Sequence, residues 1–316
     1  MLGLALRDTG LALRDLTALA RCADDIGYAS LWAPEVGSRD AIFLAGAYGS
    51  ATHTISVGTG VVPVYSRKIV SLALSVAVAA EASEGRFILG IGAGHRFATE
   101  AWYESRWHNP RDRMRDTVQV LRAILTGERV EHAGELAVNG FHLGTTPPFV
   151  PVYLAALTPS SLRLAGEIAD GVILNWLPPE GVEKAALLAR EAAADAGRTV
   201  RVIAYVRTAV IEDPAEEHDA RTALHEQAYA YLSLPSYANS VRKVGLGREL
   251  DAMASGHEKA VDALVGSLCA SGDAAAVAKK LAEYRDAGLD EVVVYPVPFG
   301  DDPAESVLQT IRGAKT

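Results

Sequence analysis

The residues best placed to do chemistry cluster after two glycine-ended apolar runs. The first run is Ile55-Ser-Val-Gly-Thr-Gly-Val-Val-Pro-Val-Tyr-Ser-Arg67 and the second is Arg86-Phe-Ile-Leu-Gly-Ile-Gly-Ala-Gly-His95. Both read as buried strands ending in glycine, where backbone can lie against a flat ligand because no Cβ holds it away. His95 follows the second run, so it should face the mouth of whatever these strands enclose and could move a proton near neutral pH. A merely orienting or solvated histidine is the plainer reading. Glu35 closes Ala33-Pro34-Glu35-Val36 and could be a base, an acceptor touching a ring, or a partner for Arg39. Thr158, Ser160 and Ser161 open a helix after the run 151–155, where free N–H groups and the helix dipole favour an anion such as a phosphate. An ordinary N-cap explains the same residues equally simply.

These residues need a frame, and the chain supplies one. Apolar runs alternate with amphipathic segments almost throughout. Strand readings fall at 2–6, 30–33, 55–62, 86–91, 151–155, 171–175, 200–210 and 291–296, with helices between them. Two excursions break the rhythm. Residues about 128–150 alternate around Gly134 and Asn139-Gly140 as a hairpin would. Residues about 213–266 read as a helical insertion carrying Tyr229, Tyr231 and Tyr237, expected to roof the site. Eight βα units with continuously apolar strands imply a parallel sheet covered on both sides. The expectation is therefore an α/β fold: one (β/α)8 barrel over 1–316, with insertions after strands four and seven and ligands at the C-terminal ends of the strands.

Composition narrows the function classes. The 316 residues carry a net charge of −9, and no Lys/Arg run exceeds two, which argues against nucleic acid as a partner. Cys22 and Cys269 are far apart, with no spacing that suggests a metal site or a disulfide. No apolar run reaches about 18 residues and no leader pattern precedes the first strand, so the chain reads as cytoplasmic with no membrane partner. His53, His132, His142, His218, His225 and His257 fall in helices or insertions and read as structural or exposed. Trp102, Trp107 and Trp176 could cover a pocket or simply pack under a loop.

Several segments, in order along nearly the whole chain, resemble the luciferase-like family of barrel flavoproteins. They are similar to the branch that contains methylenetetrahydromethanopterin reductase and uses the deazaflavin coenzyme F420. The carriers are Ser30-Leu-Trp-Ala-Pro-Glu35, Ser38-Arg-Asp-Ala41, Ser56-Val-Gly-Thr-Gly-Val61, Tyr65-Ser-Arg67, Ser83-Glu-Gly-Arg-Phe-Ile-Leu-Gly-Ile-Gly92 and Arg111-Asp-Arg-Met-Arg115. Pro151-Val-Tyr-Leu-Ala-Ala156, Leu164-Ala-Gly-Glu-Ile-Ala-Asp-Gly171 and Ala287-Gly-Leu-Asp-Glu-Val-Val-Val294 complete the set.

The resemblance implies a non-prolyl cis peptide bond at Gly60–Val61, whose bulge backs the deazaflavin ring. It implies that Glu35, Thr59, Ala93 and Gly94 line the ring, and that Leu157, Thr158, Ser160 and Ser161 hold the phosphate. Two positions depart from the family pattern: Glu35-Val36 stands where many deazaflavin members carry Asp-His, and His95 follows the strand-four glycines. The expected activity is hydride transfer between F420 and a small organic substrate, with His95 first and Glu35 second as proton-transfer groups. The alternatives are an FMN-dependent monooxygenase served by a separate reductase and a non-catalytic flavin-binding relative. A homodimer is implied by the resemblance alone.

Overall fold

The computed structural model describes residues 1–7 and 10–315. Eight parallel strands form the barrel: β1 (Leu2–Ala5), β2 (Ser30–Ala33), β3 (Ser56–Thr59), β4 (Phe87–Gly92), β5 (Val152–Ala155), β6 (Gly171–Asn175), β7 (Arg201–Val210) and β8 (Glu291–Pro296). Each pairs with the next, and β8 closes on β1 through Leu2↔Val292, Gly3↔Val293 and Leu4↔Val294. The helices that follow these strands are α1 (Leu13–Asp25), α2 (Ala41–Ala51), α3 (Ile69–Ala82), α4 (Pro110–Leu125), α5 (Pro159–Ile168), α6 (Pro179–Asp195), α7 (Ala274–Asp286) and α8 (Pro303–Gly313).

Local chemistry accounts for these elements. All six residues of β8 are buried, as are nine of the ten in β7, so these strands need apolar side chains on both faces. Asp40, Asp273 and Asp302 accept hydrogen bonds from the first-turn N–H groups of α2, α7 and α8, which fixes where those helices start. One core lies between the strands and the helix ring. A smaller one fills the barrel itself, built on Trp32, Tyr153, Tyr205 and Tyr295. Trp32 is 1% exposed; a tryptophan buries roughly 200 Å², a gross gain on the order of 5 kcal/mol.

The eight-unit order and both excursions match expectation. Val130–Ala133 pairs antiparallel with Ala137–Phe141 as a separate hairpin. The second excursion holds helices Glu217–Leu232, Pro235–Lys243, Gly247–Ala254 and Glu258–Leu268. The third strand differs from the continuous run expected over 55–62. It stops at Thr59, and Val62–Pro63 then pairs with Ile91 and Gly92 of β4, leaving the Gly60–Val61 bond, which is cis, as a bulge between the two pieces. A short helix Arg96–Ala101 and a strand Ala270–Gly272 against the end of β7 had no periodic signal, being too short to show one.

Candidate active site

The glycines at the strand ends are set by close packing inside the barrel. A Cβ on Gly60 would lie 1.7 Å from Tyr205 Oη. One on Gly90 would lie 2.0 Å from the Thr59 carbonyl oxygen, so the β3 bulge and β4 interlock only because Gly90 has no side chain. Gly94 has φ +74°, the left-handed region that glycine enters without a Cβ penalty, and it turns the chain over Pro63 toward His95. Thr59 is fully buried; its Oγ1 donates to the Gly90 carbonyl at 2.8 Å and accepts from the Gly90 N–H at 2.9 Å. Its hydroxyl therefore ties β3 to β4, which leaves the Cγ2 methyl as the part of Thr59 able to line a ring.

Glu35 is neither a free base nor a partner of Arg39. Arg67 grips both its carboxylate oxygens, at 2.8 Å each, and reaches Asp40 at 2.6 Å. Arg39 instead donates to the Leu11 carbonyl. Burial alone would lower the Arg67 guanidinium, but its bonds to Glu35 and Asp40 outweigh that and hold it above its usual range. The Glu35 side chain is 6% exposed and fixed as one jaw of a clamp that joins the end of β2 to the turn before α3. The Arg–carboxylate fork makes this geometry specific.

His95 does reach the barrel mouth. It precedes the helix Arg96–Ala101, half-buried, with its ring stacked on Phe97 and 6.1 Å from the ring of Tyr237. Burial pushes its imidazole below the ordinary value, so it rests neutral at pH 7. Tyr237 comes from the helical insertion and accepts a hydrogen bond from Asn175 Nδ2 at 3.1 Å. Of the three insertion tyrosines, Tyr231 and Tyr237 turn inward while Tyr229 is exposed.

At the start of α5 the two readings separate. Thr158 is the N-cap, its Oγ1 accepting from Ser161 N–H at 3.2 Å, while Ser161 Oγ accepts from the N–H groups of Leu157 and Thr158 at 3.2 and 3.0 Å. The capping box occupies the donors that a phosphate would use, so an anion there must displace Ser161 Oγ. Ser160 stays exposed, with its hydroxyl outside this box. Ala93 and Gly94 stand at the open edge beside Val61, partly or wholly accessible.

One group escaped the sequence reading. Arg207, near the end of β7, is 2% exposed and sits among the rings of Tyr295, Trp176 and Tyr231, 4.1, 4.7 and 4.8 Å from their centres. It donates to Asn175 Oδ1. Trp176 follows β6 with φ +55°, a left-handed conformation that is rare for a bulky residue and typical of ligand clamps. The signal was present: a lone arginine in the otherwise apolar run Val202-Ile-Ala-Tyr-Val-Arg-Thr-Ala-Val-Ile211.

Elsewhere His108, His132 and His225 rest against Glu135, Asp116 and Asp262. Among the described residues no group of three or more His, Cys, Asp or Glu gathers to hold a metal, and no helix is long and apolar enough to cross a membrane.

Comparison with known proteins agrees with the barrel fold. The family profile described as luciferase-like monooxygenase matches residues 3–291. The 5,10-methylenetetrahydromethanopterin reductase of Archaeoglobus fulgidus is 27% identical over 312 residues, covering 93% of this chain and 92% of its own. An F420-dependent secondary alcohol dehydrogenase, solved with an F420–acetone adduct, superposes with a TM-score of 0.80 at 20% identity, covering 99% and 98% of the two chains. The oxygenating constituent of the 3,6-diketocamphane monooxygenase of Pseudomonas putida, solved with FMN, has a TM-score of 0.71 at 19% identity over 100% and 96%.

Proposed function

We propose, for a chain that belongs to the luciferase-like monooxygenase family, that it is an F420-dependent oxidoreductase moving a hydride between the deazaflavin and a small organic substrate. The observation that carries this reading is the likeness to the A. fulgidus reductase, which runs over 93% of this chain.

The residues at the barrel mouth fit a flat, polar cofactor. The bulge at Gly60 and Val61, with Ala93 and Gly94 opposite, offers an open edge with little side-chain bulk. Beyond that edge, Trp176 Nε1, Tyr205 Oη, Arg207 Nε and Tyr295 Oη are buried without a hydrogen-bond partner, a pattern that calls for a polar ligand beside the cofactor rather than for the cofactor itself. When bound, the deazaflavin supplies the carbon that carries the hydride. Leu157, Thr158, Ser160 and Ser161 hold its phosphate after the capping box opens. Thr59 acts behind the ring by locking the bulge to β4. Glu35 acts through Arg67, positioning the loop before α3. His95 takes the proton-transfer role, and its neutral imidazole is suited to accept a proton from a substrate hydroxyl as hydride leaves the adjoining carbon.

The same fold carries FMN in the diketocamphane monooxygenase, so FMN is the competing cofactor. Oxygen separates the two: the reduced holo-protein should persist in air-saturated buffer if it holds the deazaflavin. Rapid reoxidation with uptake of O₂ would give the FMN reading precedence.

A homodimer belongs to the same proposal. Helices α2 and α3 are apolar almost all round, and their outer faces leave Phe43, Leu74 and Val78 70%, 49% and 66% exposed. Such a face on neighbouring helices suits burial against a second copy.

A further inference from the structure

Arg207 presents a buried cation for which the described residues supply no carboxylate partner. Its only hydrogen bond among them goes to the neutral Asn175 amide. Three aromatic rings shield the guanidinium, but an aromatic face offers no in-plane lone pair, and Arg207 Nε remains unpaired. The surrounding groups have the same polarity. Trp176 Nε1 can only donate, and the phenols of Tyr205 and Tyr295 are buried and unpartnered. Burial raises both phenols above their ordinary range, so they are neutral O–H groups at any physiological pH. Four groups able to donate thus line one run of packed rings, while Asn175 Oδ1 is already taken by Arg207.

The cluster is continuous with the rest of the mouth. Tyr205 touches Gly60 at one side, its ring 5.9 Å from that of Tyr295, which lies against Arg207. On the other side Tyr231 leads to Tyr237, and Tyr237 to His95, in ring steps of 5.5 and 6.1 Å.

We infer that Arg207 is the oxyanion-binding residue of the active site and that the organic substrate carries a carboxylate docked on it. This rests on the proposed function for the claim that the substrate reacts at this mouth. A carboxylate accepts two in-plane bonds from a guanidinium edge and can take further bonds from neighbouring hydroxyls, which is what this donor set lacks. Tyr231 and Tyr237 come from the insertion after β7, the class of loop that sets specificity in (β/α)8 enzymes. An oxyanion of the cofactor ring is chemically equivalent, and the test below distinguishes it.

The probes are benzoate and its neutral counterpart benzamide, titrated by calorimetry into the full-length protein with and without F420. Benzoate should bind saturably, at least tenfold tighter than benzamide, in both forms. Arg207→Gln should weaken benzoate at least tenfold while leaving F420 affinity within about twofold of the parent. Arg207→Lys, which keeps the charge and loses the fork, should weaken benzoate several-fold and serves if the Gln variant fails to fold. Equal binding of benzoate and benzamide, or benzoate binding unchanged in both variants, would overturn the inference. Competition between benzoate and F420, with F420 affinity lost in Arg207→Gln, would assign the oxyanion to the cofactor and overturn the substrate role. Failure of the parent protein to bind F420, with Arg207-dependent benzoate binding intact, would refute the proposed cofactor and leave the carboxylate site standing.

Discussion

Gly60→Ala should destabilise the barrel through a single contact. The new methyl group would fall 1.7 Å from Tyr205 Oη and 2.8 Å from its ring carbon Cζ. Tyr205 cannot swing clear, because its ring is packed edge-on against Trp32 and Tyr295 at 6.5 and 5.9 Å. Overpacking of this kind costs about 1–3 kcal/mol. Unfolding entropy near 2.1 cal/mol/K per residue over 316 residues is about 0.7 kcal/mol/K, so Tm should fall by roughly 1–4 °C. Tyr205→Phe removes the nearest offending atom. Because that hydroxyl has no partner, its loss alone should cost less than about 1 kcal/mol. In the double variant the 2.8 Å approach to Cζ remains, so rescue should be partial, with a coupling of about 1 kcal/mol. Thermal melts and urea midpoints on the four proteins measure the cycle. Strict additivity, or a Gly60→Ala protein that melts like the parent, would refute the reasoning that Gly60 is glycine because Tyr205 lies on it.

Arg67→Met strands the carboxylate of Glu35 in a nearly closed site and frees only the half-exposed Asp40. The expected loss is about 2–4 kcal/mol by urea denaturation, part of it recovered by adding Glu35→Gln. An unchanged midpoint would show the clamp to be dispensable. The His95 ring, followed by NMR, should titrate below the ordinary value of about 6.5. Since its folded-state pKa is depressed, its contribution is present above about pH 6.5 and is lost as pH falls through the lower folded value. His95→Gln should therefore lose less stability than the parent between neutral pH and pH 5. If His95 transfers the proton, His95→Ala should lower turnover by ~10²–10⁴ with cofactor affinity little changed; unaffected turnover would dismiss the role. For the dimer, light scattering should show two copies for the parent and one for Val78→Glu, whereas a monomeric parent would remove the proposal.

The barrel was legible because it repeats. Continuous apolar strands such as 291–296 and capped amphipathic helices such as 110–125 announce themselves locally. The barrel-mouth position of His95 was legible for the same reason, since it follows a strand end. What the sequence could not show were pairings made across the fold. Glu35 finds Arg67, 32 positions away, because the turn after the bulge carries Arg67 back over β2; Arg39, four positions along, was only the nearer arginine in sequence. Thr59 meets Gly90 across a strand pair. The α5 cap illustrates a different gap, because Thr158 and Ser161 satisfy one another and a phosphate reading needs the same atoms. Arg207 was missed although its signal, a charge inside a buried strand, needed no tertiary information.

The measurement closest to the central claim is a fluorescence titration of the purified protein with F420 and, separately, with FMN. Tight, saturable binding of F420 with FMN bound far more weakly is the result expected of an F420-dependent oxidoreductase. Tight binding of FMN with no binding of F420 would contradict the account and place the chain with the oxygen-using members of its family.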